Sequence, residues 1–150
     1  RSNPLARALR LDKMSLAALD WTLRAVAEGR AEHEIPTLRQ LGEPIAAVEK
    51  RARELLARLD EVAGGRITVE LEETRAPVGG GSLPGFELES RAVTLRGGIG
   101  AEQLCAALRR GPVPVLARVR DDRVQLDART LLPGDEALVA SALQRALSDV

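Results

Sequence analysis

The sequence has 150 residues, with 22 basic and 22 acidic side chains, so its formal net charge at pH 7 is zero. This balance argues against an electrostatic attraction of the whole chain to nucleic acid, and the lack of a long apolar run or signal-peptide pattern argues against a membrane protein. We therefore expect a cytoplasmic protein, whose 45% hydrophobic residues supply a packed core.

Cysteine, histidine and aromatic residues are too rare for several classes of site. Cys105 is the only cysteine and His33 the only histidine, which excludes an intrachain disulfide and a zinc site built from cysteines. His33 stands in a polar run, and we interpret it as a surface residue. Trp21 and Phe86 are the only aromatic residues, which are too few for stacking on single-stranded RNA. We predict no metal site.

The first part of the chain has helical spacing. Asp12 or Ser15 can cap a first helix that stops near Gly29, and a short helical piece follows it. A long helix is predicted from about Pro44 to Gly64. The apolar stripes of the two longer helices are Leu16, Leu19, Leu23 and Val26 in the first, and Ile45, Val48, Ala52, Leu55, Leu56, Leu59 and Val62 in the second.

The apolar period changes from 3.6 to 2 after Gly64, which predicts strands. The first strand covers residues 67–72 and the second begins at Phe86. A bulge near residues 90–92 would reconcile the opposite parities of the apolar residues in the second strand.

A short helix and a hairpin follow the second strand. Residues 115–119 and 124–126 are the predicted strands of this hairpin, and Asp121 and Asp122 form its turn. A last helix starts after Pro133 and Gly134.

These elements predict an α+β fold in which helices cover one face of a four-stranded, mainly antiparallel sheet. We expect two parts: residues 1–63 form a linking helical segment, and residues 64–150 form the α+β domain. The chain begins at Arg1, and its one methionine, Met14, lies inside a helical pattern. We therefore expect a fragment of a longer protein.

Three stretches together resemble bacterial selenocysteine synthases. They are NPLARALRLDKMSLAAL at residues 3–19, EIPTLRQL at residues 34–41 and VGGGSLPG at residues 78–85, and the stretch PVLARVRDDRVQLDARTLLP at residues 114–133 follows. Each is weak alone, because glycine-rich loops are common. Their shared order and spacing make the resemblance specific.

The resemblance implies the small C-terminal domain of a fold-type-I pyridoxal-phosphate enzyme that converts seryl-tRNA(Sec) to selenocysteinyl-tRNA(Sec) with selenophosphate. In that family the lysine that holds the cofactor lies shortly before the first matching stretch, so it is absent here. Lys13 matches a downstream pattern and not the cofactor position. We expect this chain to bind no cofactor covalently, to be inactive alone, and to belong to a homo-oligomeric assembly of dimers.

Arg7 and Arg10 are the residues for which we predict a catalytic role. If their segment is helical, they share one face, roughly 5–6 Å apart at Cβ. Two guanidinium groups at that distance repel each other unless an anion lies between them, and the planar arginine fork suits an anion. By resemblance they would bind selenophosphate or the departing phosphate. The alternative is a solvated helix face, or pairing with Asp12 and a neighbouring element.

The glycine-rich loop with Gly79, Gly80, Gly81 and Ser82 is a possible active-site loop. Its backbone N–H groups could face an anion, although the spacing fits neither a Walker loop nor a dinucleotide fingerprint. The alternative is a wide connection between two strands.

Two other functions stay open from the sequence. One is the small domain of another fold-type-I lyase or aminotransferase, and the other is a non-catalytic module that docks on protein. Arg118, Arg120 and Arg123 are a weak candidate for contact with an RNA backbone, because neighbouring acids cancel much of their charge.

Overall fold

A computed structural model describes residue 5, residues 9–79 and residues 85–148. The chain folds as two compact units, residues 1–42 and residues 43–150. No helix among the described residues is both long and apolar enough to cross a membrane.

The first unit is helical. Its described helices are α1 (Lys13–Ala27), α2 (Ala31–Glu34) and α3 (Pro36–Gly42). The first helix ends where predicted, because Gly29 adopts a positive φ of 71° and its N–H donates to the Val26 carbonyl at 3.2 Å.

The predicted apolar stripe of α1 is not buried within this chain. Leu16, Leu19, Leu23 and Val26 are each about half exposed, and Ala25 is the buried residue of the helix. A unit of this size has few apolar side chains to set against such a stripe. The helical spacing is therefore confirmed, whereas burial of the stripe within this chain is not found.

The second unit contains the longer elements. In chain order they are α4 (Ile45–Ala63), β1 (Thr68–Pro77), β2 (Glu87–Arg96), α5 (Ala101–Arg109), β3 (Arg118–Arg120), β4 (Arg123–Asp127), a 3₁₀ turn (Ala128–Thr130) and α6 (Asp135–Ser148). The described strands form an antiparallel sheet in the order β1-β2-β4-β3. The α+β architecture predicted from the sequence is confirmed.

One face of the sheet packs against α4, α5 and α6. Val93 and Leu95 of β2 and Val124 and Leu126 of β4 alternate with polar neighbours and point to this face. They share one core cluster with helical residues, among them Leu55, Leu59, Leu104, Leu108 and Leu143. Burial of these side chains is the main apolar contribution to the stability of the unit.

The bulge predicted near residues 90–92 is wrong. Pairing between β1 and β2 runs without interruption from Thr68 opposite Arg96 to Pro77 opposite Glu87. The parity changes because both faces of β2 are buried: Val93 faces the helices, whereas Ser90 and Thr94 are buried on the opposite face. Apolar spacing alone therefore could not assign one face to the core.

The third strand is shorter than predicted. Val115 lies outside the ladder, where its N–H donates to the Leu108 carbonyl at the end of α5 at 3.0 Å. Pro114 has no N–H to offer a neighbouring strand. The ladder therefore starts at Arg118. The turn at Asp121 and Asp122 is as predicted, and both residues have positive φ.

The compact second unit begins at Glu43 rather than at Gly64. The sequence pattern places helix α4 in a linking segment, but its buried residues Leu55 and Leu59 belong to the same core as the sheet. The change of period marks where the secondary structure changes, and it does not mark where the core begins.

A close backbone approach at Gly98 gives a stability prediction. Gly98 has φ +68°, and a Cβ there would lie 2.9 Å from the Arg66 carbonyl oxygen, whereas Gly97 has φ +95° with open space around it. We expect Gly97→Ala to lower the unfolding free energy by about 1 kcal/mol through backbone strain, and Gly98→Ala to lower it by about 2–3 kcal/mol because a clash adds to the strain. Denaturant unfolding measures both, and equal losses would contradict the proposed clash.

Candidate functional site

The arginine segment at the amino end is described in part. Arg7 lies outside the described residues. Arg10 is exposed and makes no hydrogen bond or ion pair with any described residue. Just before it, the Leu9 N–H donates to the Leu5 carbonyl at 3.0 Å, which is the i to i+4 spacing of a helical turn. Among the described residues, the Arg10 guanidinium therefore has no counterion.

Asp12 fixes the start of α1 immediately after this segment. Its Oδ1 accepts hydrogen bonds from the backbone N–H groups of Met14 at 2.8 Å and Ser15 at 2.9 Å, and its Oδ2 accepts from the Ser15 hydroxyl. These bonds, led by that from the Ser15 N–H, lower the pKa of the Asp12 carboxyl below its ordinary 3.8. Asp12 therefore acts as the helix cap and is not paired with Arg10.

The glycine-rich loop lies at the tip of the long β1–β2 hairpin. Gly79 has φ +69° and Gly85 has φ +81° at its two described edges, and the Val78 N–H donates to the Phe86 carbonyl at 3.2 Å. Gly80, Gly81 and Ser82 lie outside the described residues. The two positive φ values agree with the expected conformational role of the glycines at the loop edges.

The arginines of the β3–β4 hairpin are paired with carboxylates. Arg123 bonds to Glu72 on β1, and the Arg118 Nη2 donates to the Asp127 Oδ2 at 3.2 Å. The Arg120 Nε lies 3.7 Å from the Asp121 Oδ2. A face on which positive charge is matched in this way offers little attraction to an RNA backbone.

Sequence reasoning missed a junction between β4 and α4. Asp127 is buried, and its Oδ1 accepts from the Ser90 hydroxyl at 2.5 Å and from the Arg129 N–H at 3.0 Å. The Arg129 side chain, also buried, donates to the carbonyls of Glu89 and Glu43. The local sequence signal for this junction is an aspartate at the end of a strand, because an aspartate side chain often accepts a hydrogen bond from the backbone N–H two residues later.

The lysines do not fit a covalently held pyridoxal phosphate. Lys13 is the first residue of α1 and Lys50 lies on α4, and both are exposed. A Schiff-base lysine is activated by desolvation or by a neighbouring cation, and neither lysine is buried. Neither lysine therefore has, among the described residues, the surroundings that a Schiff-base lysine requires.

The described residues also contain no group of three or more His, Cys, Asp or Glu side chains arranged to hold a metal ion. Cys105 is buried in α5, with its Sγ 3.4 Å from the Ala117 carbonyl oxygen, as expected for a small core residue.

Comparisons with known proteins point to one family. Residues 1–132 match the family model for L-seryl-tRNA selenium transferase. The L-seryl-tRNA(Sec) selenium transferases of Moorella thermoacetica and Hyphomonas neptunium are 52% identical over 147 residues and 41% identical over 150 residues, respectively. Each alignment covers 97% of this chain and 31% of the relative, so the chain spans about a third of the length of these relatives.

A solved structure of D-glucosaminate-6-phosphate ammonia-lyase is similar in fold. It superposes with a TM-score of 0.56 at 17% identity, covering 96% of this chain and 34% of that chain. At this identity the likeness concerns the fold alone.

The Asp12 cap gives a second prediction. We expect Asp12→Ala to increase amide hydrogen exchange at Met14 and Ser15, because their N–H groups lose an acceptor, whereas Asp12→Asn keeps an acceptor and most of the protection. Since folding lowers the Asp12 pKa, the stabilisation is present at neutral pH and is lost as the pH falls below 3.8 through the folded-state pKa. Exchange measured by NMR that is equal in both variants would contradict the capping role.

Proposed function

The chain belongs to the L-seryl-tRNA selenium transferase family, and we propose that it forms the C-terminal part of an enzyme that converts seryl-tRNA(Sec) to selenocysteinyl-tRNA(Sec) with selenophosphate. In this reaction selenium replaces the hydroxyl oxygen of the seryl group, and phosphate is released. The observation that carries the proposal is the family match over residues 1–132. The match favours this reaction over that of another lyase or aminotransferase.

The proposed contribution of this chain is anion binding by Arg7 and Arg10. Selenophosphate and phosphate are both multiply charged anions, and guanidinium groups bind such oxygens through two parallel hydrogen bonds. The exposed and unpaired state of Arg10 among the described residues supports the proposal, since a guanidinium held by a carboxylate would bind an anion weakly. The Asp12 cap, two residues later, leaves Arg10 outside the helix proper.

Pyridoxal phosphate would be held by a lysine outside this chain. When bound, the cofactor would activate the seryl group for loss of its hydroxyl. The chain itself would hold the selenium donor and keep its negative charge balanced while selenium is transferred. Alone, the chain would be inactive.

The exposed stripe of α1 supports a place within a larger protein. An apolar stripe on α1 is exposed to solvent in this chain, and it consists of Leu16, Leu19, Leu23 and Val26. The relatives are about three times as long as this chain. We propose that the stripe packs against the part of the protein outside these residues. The homo-oligomeric assembly of dimers and the cytoplasmic location stay predictions.

The arginine pair provides the main test. In the intact enzyme we expect Arg7→Ala and Arg10→Ala each to raise the KM for selenophosphate about tenfold or more, because each removes a charge-assisted contact to the donor. Arg10→Lys should recover part of the loss, since it restores charge without the planar fork. Steady-state kinetics with varied selenophosphate measure the effect.

Arg24 is a suitable control for charge alone. It is exposed on α1 and pairs with Asp20 at 2.8 Å, so Arg24→Ala removes one positive charge away from the proposed site. Its KM for selenophosphate should equal that of the parent. Unchanged kinetics in both the Arg7 and the Arg10 variants would refute the proposed role.

The glycine-rich loop has its own test, because we propose that it helps to close the mouth of the active site. Replacing Gly80 and Gly81 with alanine should lower turnover in the intact enzyme, by up to about a hundredfold if closure is misplaced. Gly100→Ala is the matched control, since Gly100 has φ −58° and open space where a Cβ would lie. Thermal unfolding checks folding separately, and normal turnover in a folded double variant would exclude the loop from the reaction.

A further inference from the structure

A groove between α5 and α6 carries positive charge with no carboxylate among its described lining residues. It has a volume of about 460 Å³ and lies where α5 ends and the chain turns at Gly111. Alanines of the two helices are among its lining residues, and its polar side chains are Gln103, Arg110 and Arg145. It therefore differs from the sheet face described above, on which arginines meet carboxylates.

Arg145 is the distinctive side chain of the groove. Its Nε is buried, and among the described residues the Nε has no hydrogen-bond partner and the guanidinium forms no ion pair. A buried donor on a charged group destabilises the protein when it has no acceptor. Arg51 shows the usual solution in the same unit, because it bonds to Glu43 and to the Ala128 carbonyl.

Arg110 adds a second guanidinium. Its Nε donates to the Ala106 carbonyl at 3.2 Å, and its backbone N–H donates to the Ala107 carbonyl. These bonds satisfy carbonyl groups at the end of α5, whose partial negative charge would otherwise oppose an anion in the groove. No described carboxylate pairs with Arg110, so two cations line one groove without a counterion.

Gly111 makes room for the Arg145 guanidinium. A Cβ at this position would lie 3.3 Å from the Arg145 Nη2 and 3.6 Å from the Val113 carbonyl oxygen. A Cβ at position 111 would therefore require the guanidinium to shift by a few tenths of an ångström.

We propose that this groove binds the phosphate group of a small phosphorylated molecule. Arg145 and Arg110 supply charged donors and the Gln103 amide supplies a neutral one, which is the chemistry that recognises phosphate oxygens. The volume lies in the range of small-molecule sites. The groove is lined by residues other than Arg7 and Arg10, and the inference does not rest on the proposed function.

The sequence offers Asp149 as a competing partner for Arg145. It stands four residues later in the sequence, at the spacing of a helical ion pair, and lies outside the described residues. If the Asp149 carboxylate formed an ion pair with the Arg145 guanidinium, phosphate would bind only after the negative charge of Asp149 is removed. The experiment therefore includes Asp149→Asn.

The test is isothermal titration calorimetry of the intact protein with inorganic phosphate at constant ionic strength. Arg7 and Arg10 are both replaced by glutamine in every sample, so that phosphate bound at the other proposed site is not counted. We expect one phosphate per chain. Arg145→Gln and Arg110→Gln should each weaken binding about tenfold or more, and Gly111→Ala should also weaken it.

Arg58→Gln is the matched control, because Arg58 is exposed on α4 and lies outside the groove. It should leave the phosphate affinity unchanged, whereas Arg145→Lys should retain part of it and shows whether the fold tolerates a change at this position. Equal affinity in Arg145→Gln and Arg58→Gln would overturn the proposal, as would phosphate binding that requires Asp149→Asn. Displacement of phosphate from the groove by a short RNA oligonucleotide would assign the site to a polynucleotide and overturn the small-molecule assignment.

Discussion

The second unit depends on a buried polar junction built by Asp127 and Arg129, in which the Asp127 carboxylate accepts from the Arg129 backbone and the Arg129 side chain donates to backbone carbonyls. The Asp127 carboxylate accepts from the Ser90 hydroxyl on β2, from the Arg129 backbone and from the Arg118 guanidinium. Burial of a carboxylate is costly unless such bonds compensate for the lost water, so the three donors must stay in place together. Arg129 extends the junction to the Glu43 carbonyl, just before α4 begins. The end of β4 is thereby tied to the middle of the sheet and to the long helix.

This junction explains why the hairpin that carries the glycine-rich loop is regular. The Ser90 hydroxyl donates to Asp127 and the Glu89 carbonyl accepts from Arg129, and a bulge at this point of β2 would turn one of these groups away from its partner. The β1–β2 ladder therefore continues to Pro77, and Gly79 follows almost at once. The paired strands fix the positions of both ends of the loop. A loop whose ends are fixed by a rigid scaffold is well placed to contact another part of the protein.

Arginine has three different roles in this chain, and surroundings decide between them. Arg123 is neutralised by Glu72 on the sheet face, and Arg129 is buried among backbone carbonyls. Arg10 and Arg145 lack a carboxylate partner among the described residues, and anion binding is proposed for both. The family match supports that role for Arg10, whereas the argument for Arg145 comes from the geometry of its groove. Charge counting alone cannot separate these cases, since the net charge of the chain is zero.

The sequence by itself determined the order of helices and strands, a helix cap at Asp12 or Ser15, the turn at Asp121 and the family, because these depend on short-range spacing and on ordered motifs. Only the tertiary structure decided which apolar stripes are buried, where the compact unit begins and which arginines are paired. Asp127 and Ser90 are 37 residues apart, and Arg129 and Glu43 are 86 apart, so no local pattern could bring them together. The apolar stripe of α1 is a second case that the sequence could not decide. Helical spacing predicts an apolar face, but burial of that face requires a partner surface, and the stripe is exposed in this chain.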